Sequence, residues 1–303
     1  MSRVDEARRR ASAIGDDAHA ERADVPAAHP DESILEAYPR ERRSGTDRTN
    51  VPVRQTPRPI AAPRTARPGQ LGSFEPGVGE KLVGSPDISP IAAEQYRRLA
   101  ASLHQLQTES GLKTLMITSS MPREGKTLTV TNLALTLSES YRRRVLLIDA
   151  DLRRPSIHDL LRLPNNAGLS EALRSGKGRP PLLEVSPNLS VLPAGKPDAD
   201  PMAGLTSDRM AALLEEWTAE FDWILLDAPP VGLMPDANLL ARLTRAVVFV
   251  IAAGTTSHKV IERAIAEIGR DFVVGTVLNR IEDQQLPTAA YYRDYYAIAG
   301  SAE

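Results

Sequence analysis

The sequence predicts an α/β protein built on a doubly wound, mainly parallel sheet, and three observations predict it. From about residue 88 onward, helical and strand-like patterns alternate along the chain. The strand-like runs are short and rich in Val, Ile and Leu without polar alternation, the pattern of strands covered on both faces. One such run passes through "SSMPREGKT" straight into a helical stretch, and a strand, a loop and a helix N-terminus in that order form a phosphate cradle.

The elements follow in order. "SPIAAEQYRRLAASLHQL" is helical, with Ser89 placed to cap it and Pro90 in its first turn. The strands "TLMITSS" and "RVLLIDAD" come next, separated by a helix through "KTLTVTNLALTLSESY". Further strands are expected at "LSVLPAG", "DWILLDAP", "AVVFVIAAG" and "VVGTVLNR". Helices are expected between them at "DRMAALLEEWTAE", "DANLLARL" and "SHKVIERAIAEIG". In sheets of this kind ligands bind beyond the carboxyl ends of the strands, so the chemistry belongs there.

The apolar residues that could build a core are unevenly placed. The first 90 positions hold 11 of the 24 prolines and two aromatics, Tyr38 and Phe74. Residues 1–85 therefore read as a disordered, Pro/Arg-rich N-terminal segment, residues 86–285 as the folded domain and residues 286–303 as a tail. Between Arg40 and Arg67 arginines alternate with prolines, as in an extended basic tether or a docking segment for an acidic partner or lipid surface. A net charge of −2 argues against a nucleic-acid binder that works through its overall field. The absence of cysteine excludes disulfides, a thiol nucleophile and thiolate metal sites, and it fits a reducing cytoplasm. The N-terminus lacks the apolar stretch of a signal peptide, and no run approaches the roughly 18 apolar residues of a membrane span. A soluble protein is expected.

In "SSMPREGKT", Ser120 stands where the general phosphate-loop pattern has its first Gly, so the match to that pattern is incomplete. What remains is a helix N-terminus opened by Gly125, a Lys for the β- and γ-phosphates at position 126, and a hydroxyl for Mg²⁺ at Thr127. "VLLIDADLRRP" sets Asp149 and Asp151 at the end of one strand, and "ILLDAPP" sets Asp227 at the end of another. A carboxylate there is costly to bury unless a metal or hydrogen-bond donors compensate it, and nucleotide-bound Mg²⁺ would do so. Each Asp could instead only cap the following helix, the role expected of Asp236 in "MPDANLL".

Together "TSSMPREGKT", "VLLIDADLRRPSIHDLL", "FDWILLDAPPV" and "VVGTVLNR", with a tyrosine-rich end, resemble the bacterial tyrosine kinases of capsule and exopolysaccharide export. These are cytoplasmic autokinases related to the MinD/ParA ATPases, and the resemblance covers about residues 86–296. It implies a Walker A motif at Gly125, Lys126 and Thr127, a Walker A′ motif at Asp149 and Asp151, and a Walker B aspartate at Asp227. It implies that ATP is held by Ser120, Met121, Pro122, Arg123, Glu124, Gly125, Lys126, Thr127 and Thr129, with Asn279 and Arg280 near the adenine. Thr127, Asp151 and Asp227 would hold Mg²⁺, and Asp149 would take the acceptor's proton or polarise it through the metal. Arg123 departs from the family's usual Gly and Ala228 from its usual Ser or Thr.

Four of the seven tyrosines, Tyr291, Tyr292, Tyr295 and Tyr296, fall in the last thirteen positions. The resemblance makes them the phosphate acceptors, transferred between neighbouring subunits; their i, i+4 spacing also fits an aromatic helical stripe. The family's ring-forming Glu-x-x-Arg-x-x-Arg motif is present only as Glu94 and Arg97, with Ala100 in the third place, so self-association should be weak. The resemblance further implies a membrane co-polymerase of the Wzz type that activates the kinase, a tyrosine phosphatase, and a place at the inner face of the plasma membrane reached through that partner. Two other readings compete. One is a MinD/ParA-like ATPase switch without kinase activity, disfavoured by Met121 in the place of that group's signature Lys. The other is a scaffold without turnover.

Overall fold

The computed structural model describes residues 81–281 except 176, 177, 199 and 233. The four tail tyrosines and the Arg/Pro-rich segment lie outside the described residues. A seven-stranded sheet organises the rest. Its strands are β1 (Thr114–Ser119), β2 (Val145–Asp149), β3 (Leu183–Ser186), β4 (Leu189–Leu192), β5 (Trp223–Asp227), β6 (Val247–Ala252) and β7 (Val273–Asn279). They lie in the order β3-β4-β2-β5-β1-β6-β7, with β3 and β4 antiparallel and every other pair parallel. The chain therefore reverses its winding at β1, and the crevice beyond β1, β2 and β5 is the place where such sheets bind ligands.

Successive strand residues point to opposite faces, and both faces are apolar here. Leu115, Ile117, Leu147, Leu225, Val248 and Val250 pack on one side with the helices α1 (Pro90–Ser110) and α2 (Lys126–Glu139). Met116, Leu146, Ile148, Ile224, Leu226 and Phe249 pack on the other with α6 (Asp208–Thr218), α7 (Asp236–Thr244) and α8 (His258–Ile268). Strand β5 is buried along all five of its residues, which explains the uninterrupted apolar run in the sequence. Eleven of the fourteen residues of α2 are buried, so this helix is enclosed and the loop that feeds it has little freedom to shift.

Three short helices, α3 (Ile157–Leu160), α4 (Leu169–Ser175) and α5 (Met202–Leu205), and the edge strand β3 do not emerge from the sequence patterns. Each is only four to seven residues long, too short to show a period. Ser89 does precede α1 and Pro90 opens it, but the Ser89 side chain makes no capping hydrogen bond. The folded chain also begins before residue 86. Leu82 is fully buried beneath α2, the Val83 N–H donates to Asn132 Oδ1 (2.8 Å), and Asn132 Nδ2 donates to the Lys81 carbonyl (2.8 Å). Two apolar residues, Leu82 and Val83, in a Gly/Pro-rich context carried too little signal to mark this.

Candidate nucleotide site

The site grows from the ends of three neighbouring strands. Asp149 and Asp227 are the last residues of β2 and β5 and face each other in register, so parallel pairing alone brings the two carboxylates together. Asp151 lies two residues past β2, and Lys126 and Thr127 open α2. Lys126 Nζ contacts Asp151 Oδ2 at 3.0 Å and Asp227 Oδ1 at 3.4 Å, and Thr127 Oγ1 donates to Asp227 Oδ2 at 2.7 Å. Ser156 Oγ reaches Thr127 Oγ1 at 3.2 Å, a contact that nothing in the sequence singled out.

Asp149 is placed differently from the other two. Its Oδ2 accepts the N–H groups of Ser156 (2.9 Å) and Ile157 (3.0 Å), and its Oδ1 accepts that of Asp151 (3.3 Å). Like Asp227 it is fully buried and lines no part of the cavity described below, but it is held by backbone N–H groups where Asp227 is held by the Lys126 and Thr127 side chains. Its carboxylate therefore holds the loop that carries Asp151 and Ser156 onto the end of β2.

Burial dominates the electrostatics. It pushes the Asp149 carboxyl up to about 8, with the Asp227 charge adding to the effect, while the Ile157 and Ser156 N–H groups and Lys126 oppose it. Burial likewise raises Asp227, against the pull of Lys126 and the Thr127 hydroxyl. Lys126 runs the other way. Burial alone would depress its ammonium, but Asp227 and Asp151 outweigh that and hold it above the usual lysine range.

The loop before Lys126 is braced on both sides. On one, the N–H groups of Val231 and Gly232 donate to the Ser119 and Ser120 carbonyls at 2.9 and 3.1 Å, and Thr118 Oγ1 donates to the Pro229 carbonyl at 2.7 Å. On the other, the buried Glu124 carboxylate accepts Met121 N–H (2.6 Å), Ala252 N–H (3.4 Å) and the Thr256 hydroxyl, while Asn279 Nδ2 donates to the Glu124 carbonyl (2.8 Å). Two residues take left-handed backbone, Arg123 at φ 65° and Gly125 at φ 97°. At position 123 a side chain bears a conformation that Gly adopts freely, which is the physical content of the departure noted above. At 125 a side chain would be strained at this φ, and its Cβ, 2.0 Å from Asn279 Nδ2, would push that amide off the Glu124 carbonyl.

Above these groups opens a cavity of about 740 Å³. Lys126, Thr127 and Asp151 lie in its wall, with Pro122, Arg123 and Gly125 from the loop. Arg153, Arg154, Ser156 and Arg280 add polar wall, while Leu128, Leu160, Pro229, Pro230 and Met234 make an apolar side. Ser120 is buried beneath the loop, whereas Met121 is 41% exposed beside it. Of the expected binding residues, Ser120, Met121, Glu124, Asn279 and also Thr129 are absent from the cavity wall. Two positions beyond Thr127 on α2, and so about 200° round the helix, Thr129 is buried against Tyr96 and its side chain turns from the cavity. Asp236 is likewise corrected: it caps nothing, Pro235 holds the cap position, and its carboxylate takes a 2.6 Å contact from Arg153 Nε. That pair ties the loop after β2 to the start of α7.

The donor set suits a nucleotide-bound Mg²⁺. Among the described residues no three His, Cys, Asp or Glu side chains gather closely enough to hold a metal by themselves. One or two carboxylates and a hydroxyl, completed by phosphates and water, are the usual surroundings of Mg²⁺. Glu94 and Arg97 pair with each other on the outer face of α1 at 3.1 Å, with Arg98 Nε at 3.9 Å from Glu94, whereas Ala100 is fully buried.

Comparison with known proteins agrees with this geometry. The family model described as "Cellulose biosynthesis protein BcsQ" matches residues 113–282. The chain is 31% identical over 202 residues to tyrosine-protein kinase YwqD of Bacillus subtilis, covering 65% of this chain and 85% of that one. Among solved structures it is similar to the chimerical protein CapA2B2 (TM-score 0.60, 28% identity, 70% of this chain and 93% of that one). It is also similar to the kinase domain of Escherichia coli tyrosine kinase ETK (TM-score 0.58, 30% identity, 63% and 78%). The chain thus belongs to the family that the BcsQ model describes, and within it to the bacterial tyrosine-protein kinases.

Proposed function

We propose that the chain is an ATP-dependent protein-tyrosine autokinase that phosphorylates its own C-terminal cluster, Tyr291, Tyr292, Tyr295 and Tyr296, and thereby regulates polysaccharide polymerisation and export. The observation that carries this reading is the meeting of Lys126, Thr127, Asp151 and the buried Asp227 at the base of a strand–loop–helix phosphate cradle. Family membership selects phosphoryl transfer to tyrosine over hydrolysis alone, as does Met121 in the place of the ATPase signature lysine.

In this reading Lys126 turns from the carboxylates to the transferring phosphoryl group, whose charge it offsets. Thr127, Asp151 and Asp227 would hold Mg²⁺, which would supply charge neutralisation for the phosphates. The tyrosine oxygen forms the new bond to the γ-phosphorus as the bond from that phosphorus to the ADP oxygen breaks. A phenol near pKa 10 has to lose its proton in the process. Asp151 would be committed to Mg²⁺ and Asp149 is enclosed by backbone N–H groups away from the cavity, so Asp149 acts by positioning and the phenol proton passes to water in the cavity. The apolar wall of Leu160, Pro229, Pro230 and Met234 suits an aromatic acceptor. A membrane co-polymerase would gather several copies, raise the local concentration and offset a weak interface between them; a tyrosine phosphatase would reverse the reaction. Incubating the full chain with labelled ATP and Mg²⁺, then mapping the label by mass spectrometry, tests the reading. Phosphotyrosine in the tail is expected; free phosphate without phosphotyrosine would overturn it in favour of the ATPase switch.

A further inference from the structure

All six carboxylate oxygens of the three site aspartates already accept a hydrogen bond or ion pair from this chain. Asp149 Oδ1 takes the Asp151 N–H, and its Oδ2 takes those of Ser156 and Ile157. Asp151 Oδ1 takes the Arg154 N–H (3.1 Å), and its Oδ2 takes Lys126 Nζ. Asp227 Oδ1 takes Lys126 Nζ, and its Oδ2 takes the Thr127 hydroxyl. The Thr127 oxygen itself is approached by Ser156 Oγ at 3.2 Å and by Lys126 Nζ at 3.4 Å. Each carboxylate oxygen keeps a second lone pair, but the Lys126 ammonium lies between Asp151 Oδ2 and Asp227 Oδ1, in the place that a cation shared by these two carboxylates would take.

The partners differ in how readily they leave. Backbone N–H groups are fixed by the fold, but the Lys126 ammonium sits on a four-carbon stem and can swing. It bridges the two carboxylates that would hold Mg²⁺, and it is nearly enclosed with them, with side-chain exposures of 10% for Lys126, 7% for Asp151 and 0% for Asp227. A divalent ion arriving alone would meet a buried like charge in its place. It would also find too few ligands to complete a shell, since no three acidic or His side chains converge among the described residues. Nucleotide phosphates remove both obstacles at once, because they draw the ammonium toward themselves and supply the missing oxygens.

We propose that Lys126 is a resident stand-in for the metal, so that the carboxylate site accepts a divalent cation only when nucleotide has pulled the ammonium away. This rests on the nucleotide-site reading above and goes beyond it: the same lysine that serves the phosphates also closes the metal site in their absence. A kinase built this way does not sequester free Mg²⁺ or Mn²⁺ and does not assemble its cation site until the phosphoryl donor is present.

The test uses the full chain, Mn²⁺ as the probe, electron paramagnetic resonance to count free ion, and a fluorescent ADP analogue to report nucleotide. Without nucleotide, the unmodified chain should bind Mn²⁺ only in the millimolar range, and saturating ADP should tighten binding at least tenfold. Because Mn²⁺ also binds ADP directly, the deciding comparison is between variants without nucleotide. Lys126→Met and Lys126→Gln should bind Mn²⁺ at least tenfold more tightly than the parent, whereas Lys126→Arg should remain as weak as the parent. Melting curves show which variants are folded, and either neutral variant suffices. Equal Mn²⁺ affinity in parent and neutral variants, or tight binding by the parent alone, would overturn the proposal. Failure of the parent to bind the ADP analogue would instead overturn the nucleotide-site reading beneath it.

Discussion

At the scale of single residues the three aspartates divide into two kinds, and variants should separate them. Asp151 touches Lys126 and lines the cavity, so Asp151→Asn should lower kcat by a factor of about 10² to 10³, as expected when a ligand of the Mg²⁺ that would offset the phosphate charge is lost. Asp149→Asn acts through the loop that Asp149 pins, so its larger effect should fall on KM for ATP, read from initial rates over a range of ATP concentrations. Equal effects of both on kcat alone would contradict the division. The sequence placed both residues at the end of one strand but could not tell them apart. Which of two carboxylates turns inward depends on where the next helix begins, and that helix is too short to leave a pattern.

At the scale of elements, the long helices were legible from their length and pattern, and six of the seven strands from unbroken Val/Ile/Leu-rich runs that mark strands covered on both faces. What escaped were contacts between loops: Arg153 with Asp236, Ser156 with Thr127, and Glu124 with the end of β6. These join residues far apart in sequence, and no local pattern encodes them. The Arg153 pair gives a test. Asp236 is almost fully buried, so Arg153→Ala would strand a charge and should cost about 3 kcal/mol in denaturant unfolding, while Arg153→Met with Asp236→Leu should recover most of it. Helix α1 gives a second. Ala100 occupies the place of the ring motif's missing Arg, yet it packs in the core, so Ala100→Arg should not restore assembly. Overpacking alone should cost about 2 kcal/mol and lower Tm by roughly 4–8 °C in calorimetry.

At the scale of the whole molecule the folded boundary sets what a truncation does. Removing residues 1–80 should leave the denaturation midpoint close to that of the full chain. Removing residues 1–85 takes away Leu82 and the partners of Asn132, and should cost about 3 kcal/mol. Changing Tyr291, Tyr292, Tyr295 and Tyr296 to Phe should abolish most phosphotyrosine while leaving binding of the fluorescent ADP analogue unchanged; persistent label on Tyr96 or Tyr141 would contradict the acceptor assignment. The brace between Glu124 and Asn279 has a consequence for biosynthesis. It spans 155 residues, and β7, which carries Asn279, is the last strand among the described residues. At about 5–20 residues per second the phosphate loop leaves the peptidyl-transferase centre roughly 8 to 30 s before the strand that closes it. A growing chain therefore passes through most of its synthesis without a finished nucleotide pocket, and stalled nascent chains ending before Val273 should fail to retain labelled ADP that the released protein holds.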